Sequence, residues 1–397
     1  MTARIHDMEK RPPLEGIRVV EFTTAWVGPG CGMMLAEMGA DVVKVDNPLR
    51  PDLHRRVPPF ADRKPGLNRG GWFALYNRGK KECYLDLKHP DGIDAAKRLV
   101  KISDIVIINF NPRVTDSLGL SYSTLKQVKP DLIMVAASGY GATGPDRNAG
   151  AYGQVLEAYT SLGSFIGYPD NPPQGCGLPI SDHTSAVLSA FAALAALHHR
   201  DVTGEGQYID VSEVESLLVC IPEAVMKFTM NKRTHEPHGN RDDIKAPHGC
   251  YRCLGDDDWI AVAVDSDQQW GDLCRIMGTI ELIDDVRYSN GAQRLANQDE
   301  LDKIITEWTK RRTSVDVMTQ LQNVKVASGI VYNSEALYND PHLRDREFFI
   351  AFEHPEIGKR DLPSVFAKLS DTPGAIKGRE PLAGEHTDWV LNELLRQ

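Results

Sequence analysis

IRVVEFTTAWVGPGCGMMLAEMGADVVKV, residues 17–45, is the stretch that decides the fold. Ile17–Phe22 is a short apolar run of strand length. Gly32–Met38 carries helix formers, Gly39–Ala40 supplies a tight return, and Asp41–Val45 is a second apolar run. Strand, glycine-containing loop, helix and strand make a βαβ unit, which commits the two strands to lie parallel. The pattern repeats outward. Cys83–Leu87 precedes a helix over Pro90–Ile102, and Asp104–Asn109 (DIVIIN) reads as a buried strand. Leu125–Val128 is helical, and Asp131–Ala137 (DLIMVAA) is a further strand. The expectation is α/β, a Rossmann-like, doubly wound sheet. The loop after the first strand, TTAWVGPGCG, is not the GxGxxG of dinucleotide-binding proteins, so nicotinamide chemistry is not expected.

The middle of the chain changes character. Trp259–Val264 reads as a strand, and Ser266 is placed to cap a helix whose apolar face is Trp270, Leu273, Cys274 and Met277. Leu301, Ile304, Ile305 and Trp308 form a second face at helical spacing. These stripes read as the core of a smaller α+β domain. Lys232–Pro247 is polar and turn-rich, so it reads as a linker or loop. The pattern near Ser328–Tyr332 is strand-like again, and Asp388–Leu395 is helical after the loop PLAGEHT.

Composition narrows the function classes. A chain of 397 residues is long for one core, so two domains are expected. The net charge of −10 argues against a nucleic-acid binder, which needs a basic face. It leaves room for a phosphorylated ligand held by a few local cations. The Ala-rich run Ser185–Leu197 is short for a membrane span, and His198, His199 and Arg200 close it, so no membrane partner is expected. The opening MTARIHDMEKRPP is polar, lacks the apolar core of a secretory signal and reads as a loose tail. Seven scattered cysteines suit a reducing cytoplasm. Cys250 and Cys253 form a lone CxxC with no second ligand pair at zinc spacing, so their reading is structural and no metal is expected.

Residues 179–215, PISDHTSAVLSAFAALAALHHRDVTGEGQYIDVSEVE, put one carboxylate, Asp182, at the entry of a small-residue helix. An acidic side chain suits a helix start, where unpaired N–H groups and the dipole favour negative charge. By residue type alone Asp182 is a cap; kept ionised, it is also a candidate nucleophile.

From about Pro13 onward the chain resembles the family III CoA-transferases, a family (CaiB/BaiF-type) that includes formyl-CoA transferase and the carnitine, bile-acid and benzylsuccinate enzymes. The resemblance rests on ordered blocks: residues 13–46; NRGKKECYLDLKHPDG (77–92); INFNPRVTDSLG (108–119); SGYGATGP (138–145); residues 179–215; APHGCYRCLGDDDWIAVAV (246–264); and PLAGEHTDWVLNEL (381–394). It implies a CoA-transferase that moves CoA from an acyl-CoA donor to a free carboxylic acid, with no permanently bound cofactor. In such enzymes an aspartate attacks the thioester carbonyl to give a mixed anhydride, and CoA then forms an enzyme thioester. By its place in the motif, Asp182 is that aspartate. The resemblance also implies a large domain from residues 1–225 and 326–397, a small domain over 226–325, and an interlocked homodimer.

For CoA, the resemblance points to Lys80, with Lys81 and Arg78 beside it, to Asn109, Phe110, Asn111 and Arg113, and to the first loop with Ala25 and Trp26. Oxyanion donors are expected around His238–Gly239–Asn240 or at Gly249. The chain departs from formyl-CoA transferase at Trp26, where that enzyme has glutamine, and at Asn47, where it has arginine. The arginine often found late in the NF-x-P block is Ser117 here, with Arg113 four residues earlier. Trp26 argues for an acceptor larger or more apolar than oxalate. Two rival readings are an α-methylacyl-CoA racemase, which needs an acid/base pair such as His with Asp, and a CoA-binding subunit of a heteromeric transferase. NAGAYGQVLEA lacks the histidine that a racemase carries in that block.

Overall fold

The computed structural model describes residues 11–396, so most of the polar N-terminal stretch lies outside the described residues. The described residues divide into two units. One holds the chain through Gly163, Gly175–His235 and the chain from Asp345; the other holds Ser164–Gln174 and Glu236–Arg344.

In the first unit the order is β1 (Arg18–Phe22), α1 (Val27–Glu37), β2 (Asp41–Asp46), α2 (Gly71–Asn77), β3 (Lys81–Tyr84), α3 (Pro90–Lys101), β4 (Ile105–Ile108), α4 (Pro112–Ser117), α5 (Tyr122–Val128), β5 (Ile133–Ser138) and α6 (Gly153–Tyr159). A short α7 (Leu162–Phe165) stands at the division. Then come α8 (Ile180–Thr203), β6 (Tyr208–Ser212), α9 (Glu213–Cys220) and α10 (Pro222–Asn231). The sheet runs β3-β2-β1-β4-β5-β6, every pair parallel. Because side chains alternate across a strand, each strand feeds two cores. Val19, Val42, Ile105, Ile107, Ile133 and Val135 meet α1 and α8 on one face. Val20, Phe22, Val43, Val106, Ile108 and Met134 meet α3, α5 and the C-terminal helix on the other.

Five of the six strands match apolar runs read from the sequence, with β3 shifted to Lys81–Tyr84, but β6 was not read as a strand and α1 starts early. It begins at Val27, so the glycines expected in a loop lie inside the helix. They are there for close approach. A Cβ on Gly30 would stand 2.9 Å from the Ala186 Cβ of α8, and one on Gly32 would stand 1.9 Å from Glu21 Oε2. The small face of α8 (Ala186, Ala190, Ala193) completes this packing. Helix α8 is also longer than the Ala-rich run suggests. By length and composition it passes as a membrane span, yet half of its most apolar window is buried inside the protein.

The second unit has an antiparallel sheet, β7 (His248–Arg252), β8 (Trp259–Ala263) and β9 (Ala327–Ile330), in that order. Around it lie α11 (Asp267–Met277), α12 (Gly291–Ala296), α13 (Gln298–Thr309), α14 (Ser314–Asn323), α15 (Ser334–Tyr338) and α16 (Pro341–Asp345). Ser266 caps α11 by accepting from the Gln269 amide at 3.2 Å. Trp270, Leu273, Cys274, Leu301, Ile305 and Trp308 are buried in one core, as their spacing requires. Cys253 is buried there too, and no His/Cys/Asp/Glu group suited to a metal occurs among the described residues.

The divisions fall later than residues 225 and 325. Helix α10 stays with the first unit, and β9 pairs with β8, which keeps residues 327–330 in the second. After α16 the chain adds a hairpin, β10 (Phe349–His354) with β11 (Gly358–Pro363), and α17 (Thr387–Asn392) to the first unit. The segment before α17 runs along β3. Gly79 N donates to Arg379 O (3.2 Å), His386 N to Glu82 O (2.9 Å), and Tyr84 N to Thr387 Oγ1 (3.0 Å).

Candidate active site

In an open parallel sheet, ligands bind beyond the carboxyl ends of the strands, where the strand order reverses. Here the reversal lies between β1 and β4, and a cleft of about 870 Å³ opens there. Residues after every strand line it: Thr23–Val27, Val45–Asn47, Asp86–Lys88, Asn109–Asn111, Ser138–Tyr140 and Glu213. Asp182, from the first turn of α8, completes the wall.

Asp182 is not the cap of its helix. Pro179 holds that position, and no side chain caps the α8 start. The carboxyl is instead 7% exposed and faces the cleft, with Oδ2 buried and lacking a donor among the described residues. Burial raises its pKa to about 6, against the opposing pull of His183, of a hydrogen bond with Glu213 and of its own and the Val27 amides. Glu213 is the first residue of α9 and is 6% exposed. Burial, then the charge of Asp182 and the hydrogen bond to it, hold its pKa well above the ordinary carboxyl value. Gly153 leaves room for this arrangement: a Cβ there would lie 2.6 Å from Pro179 Cβ and 3.1 Å from Asp182 Oδ2.

Of the residues expected around CoA, Ala25, Trp26, Asn109, Phe110 and Asn111 line the cleft. The two asparagine side chains are engaged locally. Asn109 accepts from Thr24 N (3.0 Å) and donates to Thr24 O (2.8 Å), which ties the β1 and β4 loops together. Asn111 caps α4 by accepting from Arg113 N (2.9 Å). Lys80 does not reach the cleft. It is 4% exposed, and its ammonium donates to Glu21 (2.8 Å), Pro29 O (2.8 Å) and Asn77 (3.3 Å). Burial lowers its pKa to about 8. Its neighbours are also engaged, Arg78 with Glu37 and Lys81 with Asp41. Arg113 is exposed on α4 and is not among the lining residues.

The cations that do line the cleft are Arg50, Arg56, Lys88 and Arg147. All four are exposed, and among the described residues none has a carboxylate in ion-pair range. They cluster at one cleft of a chain with net charge −10. Sequence reasoning passed over them because they come from three separate connections, β2–α2, β3–α3 and β5–α6.

Beneath the first loop, buried charges alternate. Lys80 holds Glu21, Lys44 bonds Asp52 at 2.9 Å, and Lys44 also donates to Thr23 O at 2.8 Å. Burial opposes the Lys44 charge, but Asp52 and Glu21 outweigh it and raise the pKa. This chain fixes the turn in which Ala25 takes a φ of 61° and donates its N–H to Asp52 (3.3 Å). Beside it, Trp26, His54, Trp72, Tyr76 and His183 form a row of ring contacts, with Trp26 and His54 edge to face at 4.5 Å. His54 is fully buried, both ring nitrogens lack partners among the described residues, and burial lowers its pKa to about 4, so the ring is neutral. His183 Nδ1 lies 2.7 Å from Pro179 O and Nε2 meets the Tyr76 hydroxyl. A ring donating from Nδ1 to the carbonyl accepts the Tyr76 hydrogen at Nε2.

The expected oxyanion residues lie in the second unit, where Gly239, Asn240 and Gly249, but not His238, line a groove of about 580 Å³ with His248 and Cys250. There the Gly239 N–H already donates to Gly167 O at 2.8 Å.

Residues 14–387 match the family model described as CoA-transferase family III. The succinyl-CoA–D-citramalate CoA-transferase of Chloroflexus aurantiacus is 32% identical over 388 residues, 97% of this chain and 95% of the relative. The beta subunit of the succinyl-CoA–L-malate CoA-transferase of the same organism is 32% identical over 386 residues, 96% of this chain and 94% of the relative. A crystal structure of a CaiB/BaiF family protein from Brucella suis matches with a TM-score of 0.87 at 28% identity, covering 97% of this chain and all of the other. With the family model spanning nearly the whole chain, the protein belongs to CoA-transferase family III and is a CoA-transferase of that class.

Proposed function

We propose that the protein moves CoA from an acyl-CoA thioester to a free carboxylic acid through covalent intermediates on Asp182. A carboxylate oxygen of Asp182 attacks the thioester carbon, the C–S bond breaks, and CoA leaves as thiolate from a mixed anhydride. The thiolate then attacks the aspartyl carbon, which releases the donor acid and leaves CoA on the enzyme. The acceptor carboxylate displaces it, and thiolate attack on the acceptor's acyl carbon completes the exchange and frees Asp182. Thioester and carboxylate are present on both sides, so the exchange is close to energy-neutral and splitting it through a nucleophile is the service the enzyme provides. The observation that carries this reading is the buried Asp182 carboxyl on the wall of a cleft of about 870 Å³. Arg50, Arg56, Lys88 and Arg147 are the groups to meet the CoA phosphates, which take charge-assisted hydrogen bonds.

The acceptor we favour is a dicarboxylic acid of four or five carbons. The relatives named for citramalate and malate support that class, and the Trp26 ring in the cleft suits an acid larger than oxalate. We further propose a homodimer working in a reducing cytoplasm. Val187, Leu188, Phe191 and Leu194 stand exposed along α8, an apolar face that a second copy would cover. The L-malate relative is one subunit of a paired enzyme, so the second reading is a subunit that works only beside another polypeptide.

The test is incubation of the purified chain with succinyl-CoA and a panel of dicarboxylic acids, followed by mass spectrometry of the Asp182 peptide. A CoA adduct and exchange by the chain alone are expected. Turnover without an adduct, or full activity in Asp182→Asn, overturns the mechanism. Activity only with an added partner selects the second reading.

A further inference from the structure

The Asp182–Glu213 pair is more than a crowded corner. Each carboxyl has one buried oxygen, Asp182 Oδ2 and Glu213 Oε2, that receives no hydrogen bond from any described donor. Two such oxygens in one cleft wall are an energetic fault unless something satisfies them. The two carboxyls are within hydrogen-bonding contact of each other. A single proton between them repairs the fault and leaves the pair with one net negative charge. That charge sits at the N-terminal ends of both α8 and α9, where helix dipoles favour it.

We infer that Glu213 is a further catalytic residue: its carboxyl keeps a proton and donates it to Asp182, so that the spectator oxygen of the aspartyl group has a donor in place when charge develops on it. The inference rests on Asp182 being the nucleophile. When CoA thiolate attacks the aspartyl carbon of the anhydride, a C–S bond forms, the electron pair moves onto the spectator oxygen, and it returns as the C–O bond to the departing acid breaks. Attack by the acceptor carboxylate follows the same course, with C–O forming and C–S breaking. The proton remains on Glu213 throughout, and nothing is oxidised or reduced. A donor already aimed at the place where charge develops costs no reorganisation at the moment of reaction.

Titratable groups on the elements packed against α9 are Asp182 and His183 at the near end of α8, Glu157 and Tyr159 on α6, and Tyr208 and Asp210 on β6; Glu215 and Cys220 lie on α9 itself. Among these, only Asp182 bears on Glu213. Loss of the Glu213 proton removes the donor and places a second negative charge beside the nucleophile, so the rate profile is expected to show an alkaline limb.

The experiment compares Glu213→Gln and Glu213→Met in the intact protein, with KM for succinyl-CoA, kcat, and the pH profile. The glutamine amide still donates, so its kcat should stay within about tenfold of wild type and its alkaline limb should vanish. The methionine thioether does not donate, so kcat should fall roughly 10²-fold, the scale of losing one oxyanion donor, with KM within about threefold. Equal losses in both variants, or a methionine variant within threefold of wild type, overturn the inference. Should the methionine protein not fold, the glutamine profile decides: an unchanged alkaline limb overturns it as well. A wild-type enzyme that never carries CoA on Asp182 sinks the underlying mechanism; an adduct-forming enzyme indifferent to Glu213 sinks only this step.

Discussion

In the proposed mechanism Asp182 needs its negative charge to attack, and burial makes that charge costly to the fold. Activity should rise as pH increases through about 6, the value to which burial raises this carboxyl. The stability effect has the opposite sign. Between the ordinary value of 3.8 and about 6 the folded protein binds the extra proton, so this group's contribution to stability falls as pH rises through that window and stays low above it. The difference is on the order of 3 kcal/mol at 1.36 kcal/mol per unit. Asp182→Asn should therefore be inactive yet melt a few degrees higher than wild type at pH 8, with the gain lost near pH 4; calorimetry at both pH values checks it. The sequence placed Asp182 at the start of α8, where the structure has it, but by residue type alone it reads as a cap, a position that Pro179 occupies; its proposed role comes from the family resemblance. Glu213 was not legible, since its partner lies 31 residues earlier on another helix. Lys80 was misread because a lysine by an expected phosphate site looks available, whereas Glu21 on β1 claims it in the interior.

At the level of elements, β1 to β5 were readable as apolar runs because the strands of a parallel sheet are buried on both faces, whereas the edge strand β6, half exposed, was not. The start of α1 was not, because glycine signals a loop locally and close helix packing only in three dimensions. Gly153, at the start of α6, makes the same point testable. Alanine there gains helix propensity of up to about 1 kcal/mol. The new methyl meets Pro179 at 2.6 Å and Asp182 at 3.1 Å, and overpacking of this kind costs about 1–3 kcal/mol. The clash should win. Gly153→Ala is expected to lower kcat by at least tenfold through displacement of Asp182, with a small change in melting temperature; steady-state kinetics beside a thermal melt will separate the two effects. An unchanged kcat would show that the site yields without moving its carboxylate.

For the whole molecule, the exposed α8 face sets the expected assembly. Phe191 is 69% exposed, and Phe191→Glu should convert a dimer to a monomer by light scattering while leaving the far-ultraviolet spectrum intact. A mutant that stays dimeric places the contact elsewhere. The two-unit division was foreseeable from the change in periodicity, but its boundaries were not, because β9 joins its sheet through a partner more than 60 residues earlier. The return of the chain along β3 has a consequence for biosynthesis. The strands of the parallel sheet have all been made by Ser212, but the segment that covers β3 begins near Arg379. At translation rates of about 5–20 residues per second, that rim stays open for roughly 8–35 s on the ribosome. Lys81 and Glu82 within β3 are the kind of charged residues that discourage a nascent chain from pairing with its neighbours on a polysome during that interval.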